Sequence, residues 1–141
     1  MAYNILIVDD SSPMRMVIKK NIKASGFKTG KIFEAANGMD ALDIVKKEWL
    51  DIIMTDFNMP GMNGLELVRE IKKIDTAKDI PIIMITTEGS QERLKEFTAQ
   101  GVTDYIKKPF VPRTIKAKMN NLLGESDYEG ETEESDDGCD F

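Results

Sequence analysis

The chain reads as an α/β domain built on a doubly wound parallel sheet of five strands. Three observations predict this. Short apolar runs have the length and continuity of strands buried on both faces: Ile5-Leu6-Ile7-Val8, Ile52-Ile53-Met54-Thr55, Ile82-Ile83-Met84-Ile85 and Val102 to Ile106. Segments of helical spacing separate them, so that strand and helix alternate five times. Each run also ends on a residue suited to phosphate or metal: Asp9-Asp10, Asp56, Thr86 and Lys107-Lys108-Pro109.

The elements follow in order. The first strand spans about Asn4 to Val8. A helix from Pro13 to about Ala24 follows, with Ser11 or Ser12 as its cap and proline early in the first turn. Met14, Val17, Ile18 and Ile22 form its inward stripe, and Gly26 stops it. A weaker second strand runs from Lys31 to Ala35. The next helix, about Gly38 to Glu48, turns Ala41, Leu42, Ile44 and Val45 inward. The third strand, Asp51 to Thr55, opens into the loop 56–64, and a helix to about Lys73 buries Leu65, Val68 and Ile71. Pro81 opens the fourth strand, where a missing N–H is tolerated. The fourth helix lies near Ser90 to Ala99 and stops at Gly101. The fifth strand is Val102 to Ile106, and a helix from Pro112 to about Leu123 faces inward with Ile115, Met119 and Leu122. Right-handed crossovers put helices on both faces, and five strands favour the flavodoxin-like order 2-1-3-4-5.

Composition narrows the possibilities. The 141 residues are 41% hydrophobic, enough for one domain with its own core. No apolar stretch approaches a membrane span and no signal segment is evident, so a soluble cytoplasmic protein without membrane insertion is expected. The single cysteine, Cys139, cannot form an internal disulfide. The sequence has no histidine. That excludes a serine–histidine or cysteine–histidine triad, a histidine-ligated zinc site and a phosphohistidine carrier. The net charge of −6 hides two regions. Residues 125–141 hold nine acids and no base, whereas residues 1–124 carry 16 acids against 19 bases. The expected organisation is therefore a mildly basic domain, 1–124, and an acidic segment, 125–141, whose composition predicts disorder.

In open α/β sheets, ligands collect outside the carboxyl ends of the strands. Asp9 and Asp10 meet Asp56 there, and three neighbouring carboxylates repel, which raises a pKa among them unless a cation intervenes. Mg²⁺ suits a few carboxylates with water and phosphate oxygens. Taken alone, the Asp9-Asp10 pair fits a helix cap equally well. Asp56 is the strongest candidate for chemistry, because a carboxylate can act as nucleophile and form an aspartyl-phosphate. Asn58 either lends its backbone carbonyl to a metal or stabilises the turn. The Thr86 hydroxyl can bond a phosphoryl oxygen, and Lys108 supplies a point charge for phosphate. Each signal is weak singly; their joint placement at four strand ends is the argument.

These stretches, with Asp56-Phe57-Asn58-Met59-Pro60-Gly61-Met62-Asn63-Gly64 and Asp104-Tyr105-Ile106-Lys107-Lys108-Pro109-Phe110, resemble a response-regulator receiver domain, specifically the single-domain CheY type of bacterial chemotaxis. The resemblance covers about residues 4–123 and fills all five signature positions. It implies a phosphoacceptor that assists its own phosphorylation and dephosphorylation rather than an enzyme. Asp56 would take a phosphoryl group from a sensor histidine kinase. Asp9, Asp10, Asp56 and the Asn58 carbonyl would bind Mg²⁺, and Lys108, joined to Pro109 by a cis bond, would pair with the phosphoryl group. Thr86 would then swing inward and Tyr105 rotate from exposed to buried. That changes a partner face at Leu94, Tyr105, Lys107 and Lys118, used in chemotaxis to grip the flagellar motor switch protein. Asn58 and Glu88 would tune the phosphate lifetime. Ser11, where enteric regulators carry phenylalanine, and the bulkier Thr87 depart from the pattern, and Thr87 would restrict entry to the phosphate. A phosphatase partner is possible within this scheme, the state expected is monomeric, and no DNA-binding helix is evident.

Other readings share these residues. The chain could be a phosphorelay intermediate or a phosphate sink. An aspartate-nucleophile phosphohydrolase would use the same acids, but commonly needs a second aspartate where Asn58 stands. A flavodoxin-like cofactor binder would set three carboxylates against a flavin phosphate.

Overall fold

The computed structural model describes residues 2–124. The acidic segment 125–141 and Cys139 lie outside the described residues. Ten elements alternate: β1 (Tyr3–Val8), α1 (Ser12–Ala24), β2 (Thr29–Ala35), α2 (Gly38–Lys47), β3 (Ile52–Asp56), α3 (Gly64–Lys72), β4 (Ile82–Thr86), α4 (Gln91–Ala99), β5 (Asp104–Lys107) and α5 (Pro112–Leu123). All pairings are parallel, and the order is β2-β1-β3-β4-β5, as expected from the sequence.

The continuous apolar runs of β1, β3 and β4 follow from burial on both faces. One face turns Ile5, Ile7, Ile52, Met54, Ile83 and Ile85 toward Ile18 and Ile22 of α1 and Ile115 and Met119 of α5. The other turns Leu6, Val8, Ile53, Ile82 and Met84 toward α2, α3 and α4. Side chains alternate across a pleat, so adjacent residues of one strand feed two separate cores. The edge strands β2 and β5 carry Lys31, Glu34, Asp104 and Lys107, charges that blunt an open edge.

Several boundaries shift for identifiable reasons. The fifth strand begins at Asp104, not Val102. Gly101 adopts φ +101°, and the Val102 N–H bonds back to the Phe97 carbonyl at 3.0 Å, closing α4 in a Schellman turn with Val102 as its apolar contact. β3 extends to Asp56, which carries that carboxylate into the ladder itself. Ser11 rather than Ser12 caps α1, accepting from the Met14 N–H at 3.2 Å. Asn63 and Glu66 form a reciprocal capping box at α3. Val17 is not part of the buried stripe: it remains 43% exposed, while Ile18 and Ile22 are fully buried. Ile44 and Leu122 are only half-buried, and Leu67 joins the core instead.

The neighbours Val17 and Ile18 therefore make a direct test. Ile18→Ala should lower unfolding free energy by about 2–5 kcal/mol. Val17→Ala should change it by no more than about 0.5 kcal/mol. Urea unfolding followed by circular dichroism measures both; similar losses would contradict the assigned α1 orientation.

Candidate functional site

The sheet order decides which strand ends meet. β1 and β3 are direct neighbours, with Val8 opposite Thr55, so the residues that follow, Asp9 and Asp56, emerge side by side. Asp9 and Asp56 are 2% and 6% exposed, whereas Asp10 is exposed. One carboxylate oxygen from each of Asp9, Asp10 and Asp56 lies within 4.8 Å of the others. The local backbone holds Asp9: the Ser11 N–H donates to Asp9 Oδ1 at 2.9 Å, and Arg15 Nη1 donates to the Asp9 carbonyl at 2.6 Å. Among the described residues, Asp9 Oδ2 is buried with no hydrogen-bond partner.

Lys108 reaches this cluster from beyond β5. Its Nζ donates to Asp56 Oδ1 at 2.9 Å and lies 3.9 Å from Asp9 Oδ2. The Lys108–Pro109 bond is cis, as the sequence resemblance implied. Burial pushes the Asp9 carboxyl above its ordinary value; the charges of Asp56 and Asp10 push the same way, while the Ser11 N–H and Lys108 oppose them. An unpartnered buried oxygen facing two more carboxylates fits a hard divalent cation, which would satisfy that oxygen and offset the repulsion. Asp9, Asp10 and Asp56 can therefore hold Mg²⁺. Asn58, itself exposed, follows on the loop between β3 and α3.

Thr86 ends β4, fully inside, and its Oγ1 accepts the Glu88 N–H at 3.0 Å. Thr87 is exposed and Glu88 half-exposed. The four partner-face positions lie on α4, β5 and α5. Leu94 and Tyr105 are half-buried against the core, Lys107 is exposed, and Lys118 Nζ sits 5.2 Å from the Tyr105 ring centre while pairing with Asp104 Oδ1 at 2.9 Å. Tyr105 thus stands between the exposed and buried extremes.

Sequence reasoning missed three contributors. Arg15 joins the Asp9 carbonyl to Glu34 of β2, bonding Glu34 Oε1 through Nε at 2.9 Å. Arg93 of α4 pairs with Glu88 at 2.9 Å and stacks 4.6 Å from the Phe57 ring centre. These contacts join residues distant in sequence, and helical or strand periodicity carries no trace of them. Gly64 is the third. A Cβ there would lie 2.6 Å from the Asp56 carbonyl oxygen, so only glycine lets α3 start this close to the acidic strand end. Its place in the 56–64 loop was the available signal.

Residues 5–120 match the family described as the response regulator receiver domain. The chain belongs to that family. It is 42% identical over 130 residues to a chemotaxis protein CheY homolog of Campylobacter jejuni, covering 92% of this chain and 98% of that one. The solved structure of the chemotaxis response regulator CheY4 of Vibrio cholerae aligns with a TM-score of 0.79 at 34% identity, covering 87% of this chain and all of that one. The receiver domain of the sensor histidine kinase PA1611 from Pseudomonas aeruginosa, solved with a magnesium ion coordinated in its active site cleft, shares the fold at TM-score 0.77 and 24% identity, covering 89% of this chain and all of that one.

The displaced Asp9 titration has a definite sign. Its folded pKa lies above the ordinary 3.8, so its contribution to stability is full below that value and is lost as pH rises through the raised one. With chelator present, Asp9→Asn should therefore gain stability over the unsubstituted protein as pH climbs from acid to neutral. The lowered Glu34 pKa, set by Lys19 and then Arg15, works in the opposite sense and cancels between the two proteins. Added Mg²⁺ should stabilise only the unsubstituted protein appreciably, by about 2.7 kcal/mol at one hundred times Kd. Urea melts across pH, with chelator or Mg²⁺, measure both; a pH-independent difference would refute the assignment of a strained Asp9.

Proposed function

We propose that the chain is a two-component response regulator, with Asp56 as phosphoacceptor and a chemotaxis kinase as donor. The observation that carries this reading is the 2.9 Å Lys108–Asp56 pair set among carboxylates from two adjacent strand ends. The family membership and the chemotaxis relatives support it. The chain is then a regulator whose output is binding, and no substrate turnover is assigned to it.

In the proposed reaction, an Asp56 carboxylate oxygen forms the new bond to phosphorus as the donor's bond breaks, and the bonding pair departs with the donor. Phosphoryl transfer asks the protein chiefly for alignment and charge neutralisation. Asp9, Asp10, Asp56 and the Asn58 carbonyl would hold Mg²⁺, which when bound would neutralise the carboxylates and the phosphoryl oxygens. Lys108 orients Asp56 beforehand and follows the new anion once the carboxylate has become an acyl phosphate. Thr86 exchanges its bond from the Glu88 N–H for a phosphoryl oxygen, and Tyr105 takes up the space released. The altered face, with Leu94, Tyr105, Lys107 and Lys118, then binds an output protein, for which the flagellar motor switch is the proposed partner. Asn58, Thr87 and Glu88 border the phosphate and set its lifetime. Residues 1–124 form the receiver, and 125–141 are an acidic appendage. We place the protein in the cytoplasm as a monomer.

Mass spectrometry after incubation with acetyl phosphate and Mg²⁺ should find one added phosphoryl group. Asp56→Asn, or chelation of the metal, should abolish it. Labelling that survives in Asp56→Asn would overturn the acceptor assignment. Rapid onward transfer to a histidine carrier would move the reading to a phosphorelay.

A further inference from the structure

The charges of the domain are spread unevenly over its two faces. From residue 11 to residue 31 there are six bases and no acid, and from residue 105 to residue 124 five bases and no acid. These stretches contain α1 and α5, which share the same core on one side of the sheet. Of the acids that flank them, Glu34 of β2 is engaged by Arg15 and Lys19 and Asp104 of β5 by Lys118, while Asp9 and Asp10 belong to the cluster with Asp56. Lys20 and Lys23 on α1 and Arg113 and Lys116 on α5 are exposed. Lys20, Lys23 and Arg113 form no ion pair among the described residues.

The chain itself continues into the complementary charge. Residues 125–141 carry nine acids and no base and leave directly from the end of α5. That end is anchored beside the start of β1, where Tyr3 donates to the Leu123 carbonyl at 3.1 Å. A seventeen-residue Gly/Ser-type coil would span about 21–25 Å root-mean-square, and like charges lengthen a chain further. The helices it must follow are about 18 Å (α5) and 20 Å (α1) long. Reach and charge therefore both match.

We propose that residues 125–141 dock on the basic face formed by α1 and α5 of their own chain. Docking needs no fold in the segment. Several screened charge contacts suffice, because a short tether holds the acids at an effective concentration in the millimolar range. The face also carries Met16 and Val17, exposed on α1, so the segment covers apolar as well as basic surface. An acidic macromolecule that approaches α1 or α5 must displace this tethered competitor. The surface shares α5 with the α4–β5–α5 partner face but uses Arg113 and Lys116 where that face uses Lys118, and the proposal stands whether or not Asp56 is phosphorylated.

Cys139, the only cysteine, permits the test in the full chain. A nitroxide attached there should selectively broaden the amide signals of Lys20, Lys23, Arg113 and Lys116 at about 10 mM salt, where the screening length is about 30 Å. The selectivity should vanish at about 1 M salt, where that length is about 3 Å. It should also vanish in the exposed-site variant K20Q/K23Q/R113Q and in a chain with all nine tail acids changed to their amides. Broadening that is uniform, insensitive to salt, or centred on α2, α3 or α4 would overturn the proposal. Labelled chains mixed with unlabelled, ¹⁵N-enriched chains provide the remaining arm. Equal broadening on the enriched chains would assign the contact to a second copy and overturn docking in cis.

Discussion

The strongest constraint in this molecule is the crowding of carboxylates at the ends of β1 and β3. Like charges about 4 Å apart repel by about 4 kcal/mol at the effective dielectric of a protein surface. Asp9, Asp10 and Asp56 bring oxygens within 4.8 Å, and two of these side chains are buried. Such an arrangement persists only because the rest of the fold over-determines it. The Ser11 N–H and Arg15 fix Asp9, β-ladder pairing fixes Asp56, and Lys108 supplies an ammonium in contact. Burial first, and then the repulsion that remains, raise the Asp9 pKa, and among the described residues its Oδ2 has no hydrogen-bond partner.

The sheet order makes this convergence possible. β5 lies two strands from β3, about 10 Å at ordinary strand spacing. Only a long side chain issuing from just past β5 bridges that gap, and Lys108 does so at 2.9 Å. β4 lies between them and sets the Thr86 hydroxyl in the same row. Two buried apolar cores hold the strands from both sides.

A path also leads away from the cluster. The Thr86 hydroxyl accepts the Glu88 N–H; the Glu88 carboxylate pairs with Arg93 of α4; and Arg93 lies over Phe57, the residue after Asp56. α4 is thus joined to the acidic strand end twice, once through β4 and once through β3. Exposed ion pairs of this kind are individually weak, commonly below about 1 kcal/mol. A linkage of that strength can hold α4 in place and still be exchanged when the chemistry at Asp56 changes.

Local chemistry in the sequence was sufficient for the fold class, the strand order and the identity of the clustered residues. Uninterrupted apolar runs mark strands covered on both faces, and polar residues stand just where those runs end. The periodicity was less able to distinguish buried from merely apolar: Val17 fits a helical stripe yet faces outward, and Val102 fits a strand yet completes the turn after α4. Only the tertiary structure decided that Asp9 has an unsatisfied oxygen, that Arg15 and Arg93 serve the site's surroundings, and that α1 and α5 combine into one basic face. Short-range patterning records which way a residue is pushed by its neighbours in sequence. Distances across strands, and the sum of charges over adjoining helices, exist only after the chain has closed on itself.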